Sequence, residues 1–227
     1  MVGFGSRVGG VSEAPYDSLN IGVLTDDSDD AVVENRRRLA AAVGFEPGQV
    51  PIGLQVHKAD LAVHAGPQVP SPFAEPGTAL EEVDGHVVRR AGLAPLVLTA
   101  DCLPVALAGP GGVAMLHCGW RGLAAGIVAR GAEAVEATSA AIGPGIGPCC
   151  YEVGPEVLEA FADLGAGIAS DRMLDLTEAA RRLLSRAGVS QAESADLCTS
   201  CNPDLFFSHR RDKGVTGRMG SLAWIGS

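Results

Sequence analysis

The spacing of apolar and polar positions predicts helices that alternate with strands along the chain. Four segments have helical periodicity together with start or stop signals, namely 29–44, 120–138, 154–165 and 175–188. The segment 29–44 places Val32 and Leu39 on one face and ends at Gly44. The segment 175–188 opens with the D-x-x-E of a capping box. These patterns indicate amphipathic helices that cover a sheet.

Between the helices lie apolar, β-branched runs that predict strands. The runs are 59–64, 86–90, 95–108, 112–118, 139–143, 204–211 and 222–226. Several neighbouring runs are close enough only for hairpins, so parallel and antiparallel pairs should be mixed. The Pro- and Gly-rich stretch 65–85 is typical of a surface loop, and no repeat or composition shift marks a linker. We therefore expect one α+β domain over residues 1–227, built as a mixed-sheet α/β sandwich.

Composition and charge narrow the range of functions. Apolar residues make up 47% of the chain and charged residues 19%, which suits a protein with a proper core. The net charge of −10 does not favour nucleic acid or an anionic membrane as a partner. The longest apolar run, 93–108, contains Asp101 and is short for a membrane span. The N-terminus has no apolar signal core, so we expect a cytoplasmic protein.

A predicted hairpin brings a cysteine and a histidine together. If residues 109–112 form a four-residue loop, Ala108 pairs with Val113 and Pro104 lies opposite His117. Cys102 is then the diagonal neighbour of His117, roughly 7–8 Å away at the backbone. The two side chains are then either metal ligands, or a nucleophile with its base, or a buried thiol beside a core histidine.

Four other cysteines lie in two close pairs, Cys149-Cys150 and Cys198-x-x-Cys201. The second pair has the spacing of half a zinc site, but a closed four-cysteine site would need a second such pair. Adjacent cysteines on a strand point to opposite sides. We therefore expect structural thiols rather than a metal site.

Several motifs in order give the chain a family resemblance. His57 lies in "LQVHKAD", on a predicted strand, and alone says little. Together with "SRVGGVSEAPYDSLNIG", "TADC", "HCGWRG", "IGPGIGPCCYEVG", "CTSC" and "FFSHRRD", it resembles the YfiH/YlmD-like family over nearly the whole chain. These bacterial proteins were once called multicopper polyphenol oxidases, and their relatives are tied to purine nucleoside phosphorolysis and deamination. Lys58 and Cys118 depart from the usual family residues, and we expect a solvated side chain and a packing residue there.

The resemblance implies a metal site. It makes His57, Cys102 and His117 the three ligands of a zinc ion, with copper as an alternative. Two imidazoles and one thiolate leave a fourth position open, as in catalytic zinc sites. A water at that position would have its pKa lowered toward about 7.

The resemblance also implies an activity and its substrates. Adenosine would be cleaved by inorganic phosphate to adenine and ribose 1-phosphate, and also deaminated to inosine, with inosine and methylthioadenosine as further substrates. Cys102, His117 and Arg121 would be catalytic. Small molecules are thus the expected partners, and nothing in the sequence indicates an obligate protein partner.

Five residues are candidates for substrate binding. Arg121, at the start of a predicted helix, would hold phosphate, although a pairing with Asp101 explains it equally well. Ser208 and Arg210 would form a wall of the pocket. Asn20 and Gln55 would bond a base or sugar, with turn capping and sheet-edge bonding as alternatives.

Other functions remain open at this point. Cys102 with His117 as its base would suit a thiol hydrolase or amidase. The family resemblance implies the editing of peptidoglycan precursors as the role of such an enzyme. A copper-dependent polyphenol oxidase is less favoured because few imidazoles remain, although Met115 shares a face with His117. A non-enzymatic binding role is a further alternative.

Overall fold

A computed structural model describes residues 1–226 of the chain. Its strands are β1 Val2–Phe4, β2 Leu61–His64, β3 Gly85–Val88, β4 Leu96–Thr99, β5 Leu103–Gly109, β6 Gly112–Cys118, β7 Ser139–Ile142, β8 Ala169–Ser170, β9 Met173–Leu174, β10 Gln191–Ser194 and β11 Met219–Ala223. Its α-helices are α1 Asp29–Ala42, α2 Trp120–Ala124, α3 Ile127–Val135, α4 Pro155–Glu159 and α5 Leu176–Arg186. Short 3₁₀ turns lie at Pro47–Gln49 and Ala162–Leu164.

A six-stranded sheet in the order β10-β7-β5-β6-β3-β2 forms the centre of the molecule. The pairs β2–β3 and β7–β10 are parallel, and the other pairs are antiparallel. Every residue of β6 is buried, as expected for a strand that is covered on both faces. The predicted mixture of pairing directions is therefore confirmed.

Two further layers cover the faces of this sheet. On one face, α3 and α5 contribute Ile127 and Leu184 to a core that contains Leu116. On the other face packs a three-stranded sheet in the order β1-β11-β4, which buries Val97 against Met115. α1 covers the outer side of the smaller sheet, with Leu39 in a cluster that contains Leu96 and Leu222. The expected α+β sandwich is thus confirmed, as four layers.

The predicted hairpin forms with the expected register. Ala108 pairs with Val113 and Pro104 with His117. Pairing continues to Gly109 and Gly112, so the connection is a two-residue turn and not the expected four-residue loop. The shorter turn does not change the register of the two strands, and the register determines which face of the sheet carries His117.

Several predicted boundaries are wrong, each for a local reason. The run 95–108 is two strands in different sheets, because the chain turns at Asp101, whose φ is 90°. The segment 120–138 is two helices, divided at Gly126 with φ 87°. The helix predicted at 154–165 ends at Glu159, and 204–211 forms turns instead of a strand. No helix within residues 1–226 combines the length and apolar character needed to cross a membrane.

Candidate functional site

Three side chains meet where the central sheet ends. His117 is the penultimate residue of β6, and Cys102 directly precedes β5, the neighbouring strand. His57 lies in a loop, not on the strand predicted for it, and has φ 60°. The ligand atoms of the three residues all lie within 4.8 Å of one another. The structure therefore brings together the three residues that the family resemblance indicated.

A buried carboxylate holds the two histidines in place. Asp84, immediately before β3, is fully buried. Its Oδ1 accepts a hydrogen bond from His117 Nδ1 at 2.7 Å and another from the backbone N–H of His57 at 2.9 Å. Its Oδ2 accepts from the N–H groups of Val56 at 3.1 Å and Lys58 at 2.8 Å. The left-handed conformation of His57 lets three consecutive N–H groups converge on one carboxylate.

This arrangement fixes the chemistry of His117. Burial raises the pKa of Asp84, but hydrogen bonds from His117 and from the backbone of Lys58 and Val56 outweigh it, so the pKa is lowered. Asp84 is therefore an anion that occupies Nδ1 of His117 and leaves Nε2 free. A carboxylate behind a histidine in this way orients metal-ligating imidazoles in proteins.

The Cys102 thiol is strongly perturbed by its neighbours. Its Sγ lies 3.9 Å from His57 Nε2, and the rings of His57 and His117 are 4.8 Å apart at their centroids. Burial raises the pKa of Cys102, but the charge of His117 and hydrogen bonds from both histidines lower it to about 6. Burial lowers the pKa of His117, whereas Cys102 and Asp84 raise it to about 9. The site thus favours a thiolate at neutral pH.

The donor set fits a divalent metal ion with an open coordination position. Two imidazole nitrogens and a thiolate are the softer ligands that zinc and copper accept, and three protein ligands leave room for a fourth. Gly119 keeps this space clear: a Cβ there would stand 3.0 Å from both Cys102 Sγ and His57 Cδ2. His57, Cys102 and His117 could therefore hold such an ion.

The three side chains line a cavity of about 520 Å³, which is within the usual range for small-molecule sites. Leu54, Leu98 and Ile52 supply apolar wall, and Trp120 and Tyr151 supply aromatic surface. Burial raises the pKa of Tyr151 to about 12, so its phenol is neutral. The cavity can bury an apolar ring beside the metal ligands.

Four arginines also line this cavity, in a protein of net charge −10. They are Arg36, Arg121, Arg210 and Arg218, and within residues 1–226 none of them forms an ion pair with a carboxylate. Arg36 is 1% exposed, and its Nη2 has no hydrogen-bond partner in that range. Nε and Nη1 of Arg36 donate to backbone carbonyls, whereas Arg218 is half-buried and Arg121 and Arg210 are exposed. Four guanidinium charges without carboxylate partners favour an anionic ligand.

Asp101 is the one carboxylate that lines the cavity in the described range. Its Oδ1 accepts from Thr199 Oγ1 at 2.6 Å, and its Oδ2 accepts from the backbone N–H of Arg210 at 2.7 Å. It makes no ion pair with Arg121, the pairing considered from the sequence. Its charge is instead used to position the loop that carries Arg210.

The predicted substrate-binding residues divide into two groups. Arg121, Arg210 and Gln55 line the cavity. The side-chain amide of Gln55 is already used, because its Nε2 donates to the carbonyl of Leu98 and its Oε1 accepts from the N–H of Leu98, each at 2.7 Å. Asn20 and Ser208 do not line it. Asn20 bonds Asp27, Thr25 and the N–H groups of Gly22 and Arg218, and Ser208 accepts from the N–H of Arg211. These two side chains therefore hold turns and loops together, as the capping alternative in the sequence analysis supposed.

No sequence pattern indicated an individual role for Asp84, Gly119, Tyr151, Arg36 or Arg218. Asp84 and Gly85 form an Asp-Gly pair that is one of the motifs of the family resemblance, but the pair by itself indicates no contact, and the three loop partners of Asp84 lie 26 to 28 residues away. Arg36 sits in a predicted helix with two neighbouring arginines, Arg37 and Arg38, so nothing in the pattern marks it as buried. Their roles depend on contacts between distant segments.

Comparison with known proteins agrees with this geometry. The profile of the family described as "Multi-copper polyphenol oxidoreductase laccase" matches residues 1–226. "Purine nucleoside phosphorylase YfiH" of Escherichia coli (strain K12) is 42% identical over 97% of this chain and 91% of its own length. "Purine nucleoside phosphorylase YlmD" of Geobacillus stearothermophilus is 37% identical over 100% of this chain and 89% of its own.

Solved structures give the same result. The crystal structure of YlmD from Geobacillus stearothermophilus superposes with a TM-score of 0.90 at 35% identity, over 100% of this chain and 92% of that one. The crystal structure of the Bacillus licheniformis hypothetical protein YfiH superposes with a TM-score of 0.91 at 34% identity, over 99% of this chain and 92% of that one. The chain therefore belongs to the multi-copper polyphenol oxidoreductase laccase family, among its YfiH and YlmD members.

Proposed function

We propose that this protein is a zinc-dependent purine nucleoside phosphorylase that acts on adenosine, and also on inosine and methylthioadenosine, with adenosine deaminase activity. One observation carries the proposal: the His57–Cys102–His117 cluster opens into a cavity with apolar walls and four arginines that lack carboxylate partners. The names of its relatives point to the same chemistry. On this account residues 1–227 form one catalytic domain, and it works in the cytoplasm, where thiolate ligands stay reduced.

His57, Cys102 and His117 would hold the zinc ion. When bound there, zinc supplies a Lewis acid and lowers the pKa of water to about 7, so that hydroxide is available at neutral pH. Asp84 contributes by accepting the Nδ1 proton of His117, which keeps Nε2 directed at the site. Deamination would add water at C6 of the adenine ring and release ammonia, a reaction that zinc enzymes of other folds also perform.

The arginines would bind the second substrate, inorganic phosphate. Guanidinium groups form paired hydrogen bonds to phosphate oxygens. The Arg121 side chain lines the cavity, lies 4.4 Å over the Trp120 ring and makes no hydrogen bond to another side chain within residues 1–226. In phosphorolysis a phosphate oxygen bonds to the anomeric carbon while the bond to the purine nitrogen breaks, and the base leaves with a proton. Trp120, Tyr151 and the apolar wall would bury the purine.

Product analysis tests the proposal directly. Adenosine is incubated with the purified protein, with and without inorganic phosphate, and products are separated by chromatography. We expect adenine and ribose 1-phosphate only with phosphate. Inosine should form in both cases, and with phosphate part of it should be cleaved further to hypoxanthine. His57→Ala and Cys102→Ala should lose both reactions, whereas His64→Ala, which lies outside the cavity, should keep them. Wild-type rates in both ligand variants would overturn the proposal.

A thiol hydrolase or amidase acting on peptidoglycan precursors is the second candidate, favoured by the Cys102 pKa of about 6. Here His117 would hold the proton of Cys102 as its base, and the Cys102 thiolate would attack the amide carbonyl. His117 would then protonate the amine as the C–N bond breaks, and water would hydrolyse the acyl-cysteine. Alkylation separates the two: a thiolate held by zinc resists an alkylating agent until a chelator removes the metal, whereas a free nucleophile reacts at once and activity falls.

A copper polyphenol oxidase has less support from the structure. Met115 shares a face of β6 with His117 but packs in the core with Val97 and does not line the cavity. Of the other histidines, His64 and His86 bond each other at 3.0 Å. Within residues 1–226 no second cluster contains an imidazole. A colourless protein with no copper after purification would rule out this alternative.

A further inference from the structure

The two cysteine pairs, of which Cys150 and Cys201 are 51 residues apart in the sequence, meet in the structure. Cys149 and Cys150 lie in a turn between β7 and α4, and Cys198 and Cys201 lie in the loop after β10. The four sulfur atoms all lie within 4.8 Å of one another. The sequence argument against a shared site assumed that Cys149 and Cys150 lie on a strand and point to opposite sides, whereas the structure places them in a turn beside the second pair.

The turn explains why adjacent cysteines can share a site. The N–H groups of Cys150 and Tyr151 both donate to the carbonyl of Gly147, so the backbone curls instead of extending. Cys149 Sγ and Cys150 Sγ each lie 3.4 Å from Cys201 Sγ. The alternation of side chains that holds on a strand does not apply here.

We propose that Cys149, Cys150, Cys198 and Cys201 bind a structural zinc ion in tetrahedral coordination, as a second metal site. With Zn–S bonds of about 2.3 Å, the sulfurs of such a site are about 3.8 Å apart. The observed distances of 3.4 Å need only a slight expansion around the ion. Four thiolates fill the coordination sphere, so this site has no open position for a substrate, and the thiols release their protons to solvent on binding.

The surroundings of the sulfurs fit a thiolate cluster. The N–H of Gly147 donates to Cys198 Sγ at 3.2 Å. A Cβ at position 147 would stand 3.2 Å from Cys198 Cβ and 3.4 Å from Cys149 Sγ, so glycine allows the close approach. A disulfide would account for only two of the four clustered sulfurs, because Cys201 Sγ is equally near Cys149 Sγ and Cys150 Sγ and could bond to only one of them. A single ion accounts for all four.

The proposed ion would join loops that form the candidate active site. Tyr151, next to Cys150, lines the cavity. Thr199, between the second pair, donates to Asp101, the residue before the ligand Cys102. The carbonyl of Thr199 accepts from Arg211 Nη1 at 3.0 Å, and this bond holds the loop that carries Arg210. The second site would therefore stabilise the cavity wall without contacting substrate.

Metal stoichiometry tests this proposal and separates it from the proposed function. The protein and its variants are purified under reducing conditions, supplied with Zn²⁺, desalted and analysed by mass spectrometry of the metal. We expect two zinc ions per wild-type chain, one in Cys198→Ala, one in His57→Ala and none in the double variant. Cys118→Ala, a buried cysteine outside both clusters, should keep two.

If Cys198→Ala does not fold, Cys149→Ala serves in its place, because Cys149 is exposed. Substitution with Co²⁺ gives a second readout: the tetrathiolate spectrum should persist in His57→Ala and disappear in Cys149→Ala. One ion per wild-type chain that is lost in His57→Ala but kept in both cysteine variants would overturn the proposal. One ion that is lost only in the cysteine variants would support it and contradict the zinc site of the proposed function.

Discussion

The substitution Asp84→Asn tests how the candidate metal site is held together. The carboxylate accepts four hydrogen bonds, two at each oxygen. An asparagine of the same shape has one acceptor and one NH₂ group, and in either orientation the NH₂ group faces two N–H donors. Each buried donor left without an acceptor costs about 1–3 kcal/mol, so the variant should lose about 2–6 kcal/mol of unfolding free energy.

The same change should weaken metal binding. Without the carboxylate, His117 loses the group that fixes its tautomer, and such losses lower metal affinity by about 10- to 100-fold. Denaturant unfolding of the metal-stripped protein measures the structural cost alone, and competition with a chelator measures zinc affinity.

Asp60→Asn is the matched control. Asp60 is exposed and pairs only with Arg130, at 3.3 Å, so its variant should change stability by less than about 0.5 kcal/mol and leave zinc affinity unchanged. If Asp84→Asn matched this control in both stability and zinc affinity, the role assigned to Asp84 would be refuted.

Three further predictions concern the same site. Gly119→Ala should expel the metal, because its Cβ would stand 3.0 Å from Cys102 Sγ, whereas Gly48→Ala, with open space around it, should be neutral by metal analysis. In metal-stripped protein the alkylation rate of Cys102 should rise as the pH increases through about 6, since the thiolate forms above that value; a midpoint near the ordinary thiol pKa would contradict the perturbed site. Arg121→Ala should raise KM for phosphate about 10- to 100-fold with little effect on KM for adenosine, while Arg130→Ala, which does not line the cavity and pairs with Asp60, should leave both unchanged.

Local rules were sufficient for the parts of the structure that depend on neighbours in sequence. The register of the β5–β6 hairpin follows from a short turn between two apolar runs, and it correctly places His117 near Cys102. Asp175 caps α5 as predicted, with its side chain accepting from the N–H of Glu178 at 2.8 Å. The reciprocal half of the capping box is missing, because the N–H of Asp175 donates to the carbonyl of Ile168 at 2.7 Å. The metal ligands themselves came from the family resemblance, because spacing alone left a core cysteine and histidine equally acceptable.

Long-range contacts account for what the sequence could not give. His57 reaches the site only because Asp84, 27 residues later, binds the backbone of its loop. The cysteine pairs converge because two loops meet across 51 residues, which no spacing rule encodes. Gly126 and Asp101 interrupt predicted elements because their φ angles are positive. Glycine and aspartate also occur within regular helices and strands, so the residue type alone does not predict the break.

Anomalous X-ray scattering from crystals, recorded on both sides of the zinc and copper absorption edges, shows whether His57, Cys102 and His117 share one divalent ion. We expect a zinc-edge peak within bonding distance of His57 Nε2, Cys102 Sγ and His117 Nε2, with a fourth position not filled by protein. Zinc-supplied crystals with no anomalous peak between these three side chains would contradict this expectation.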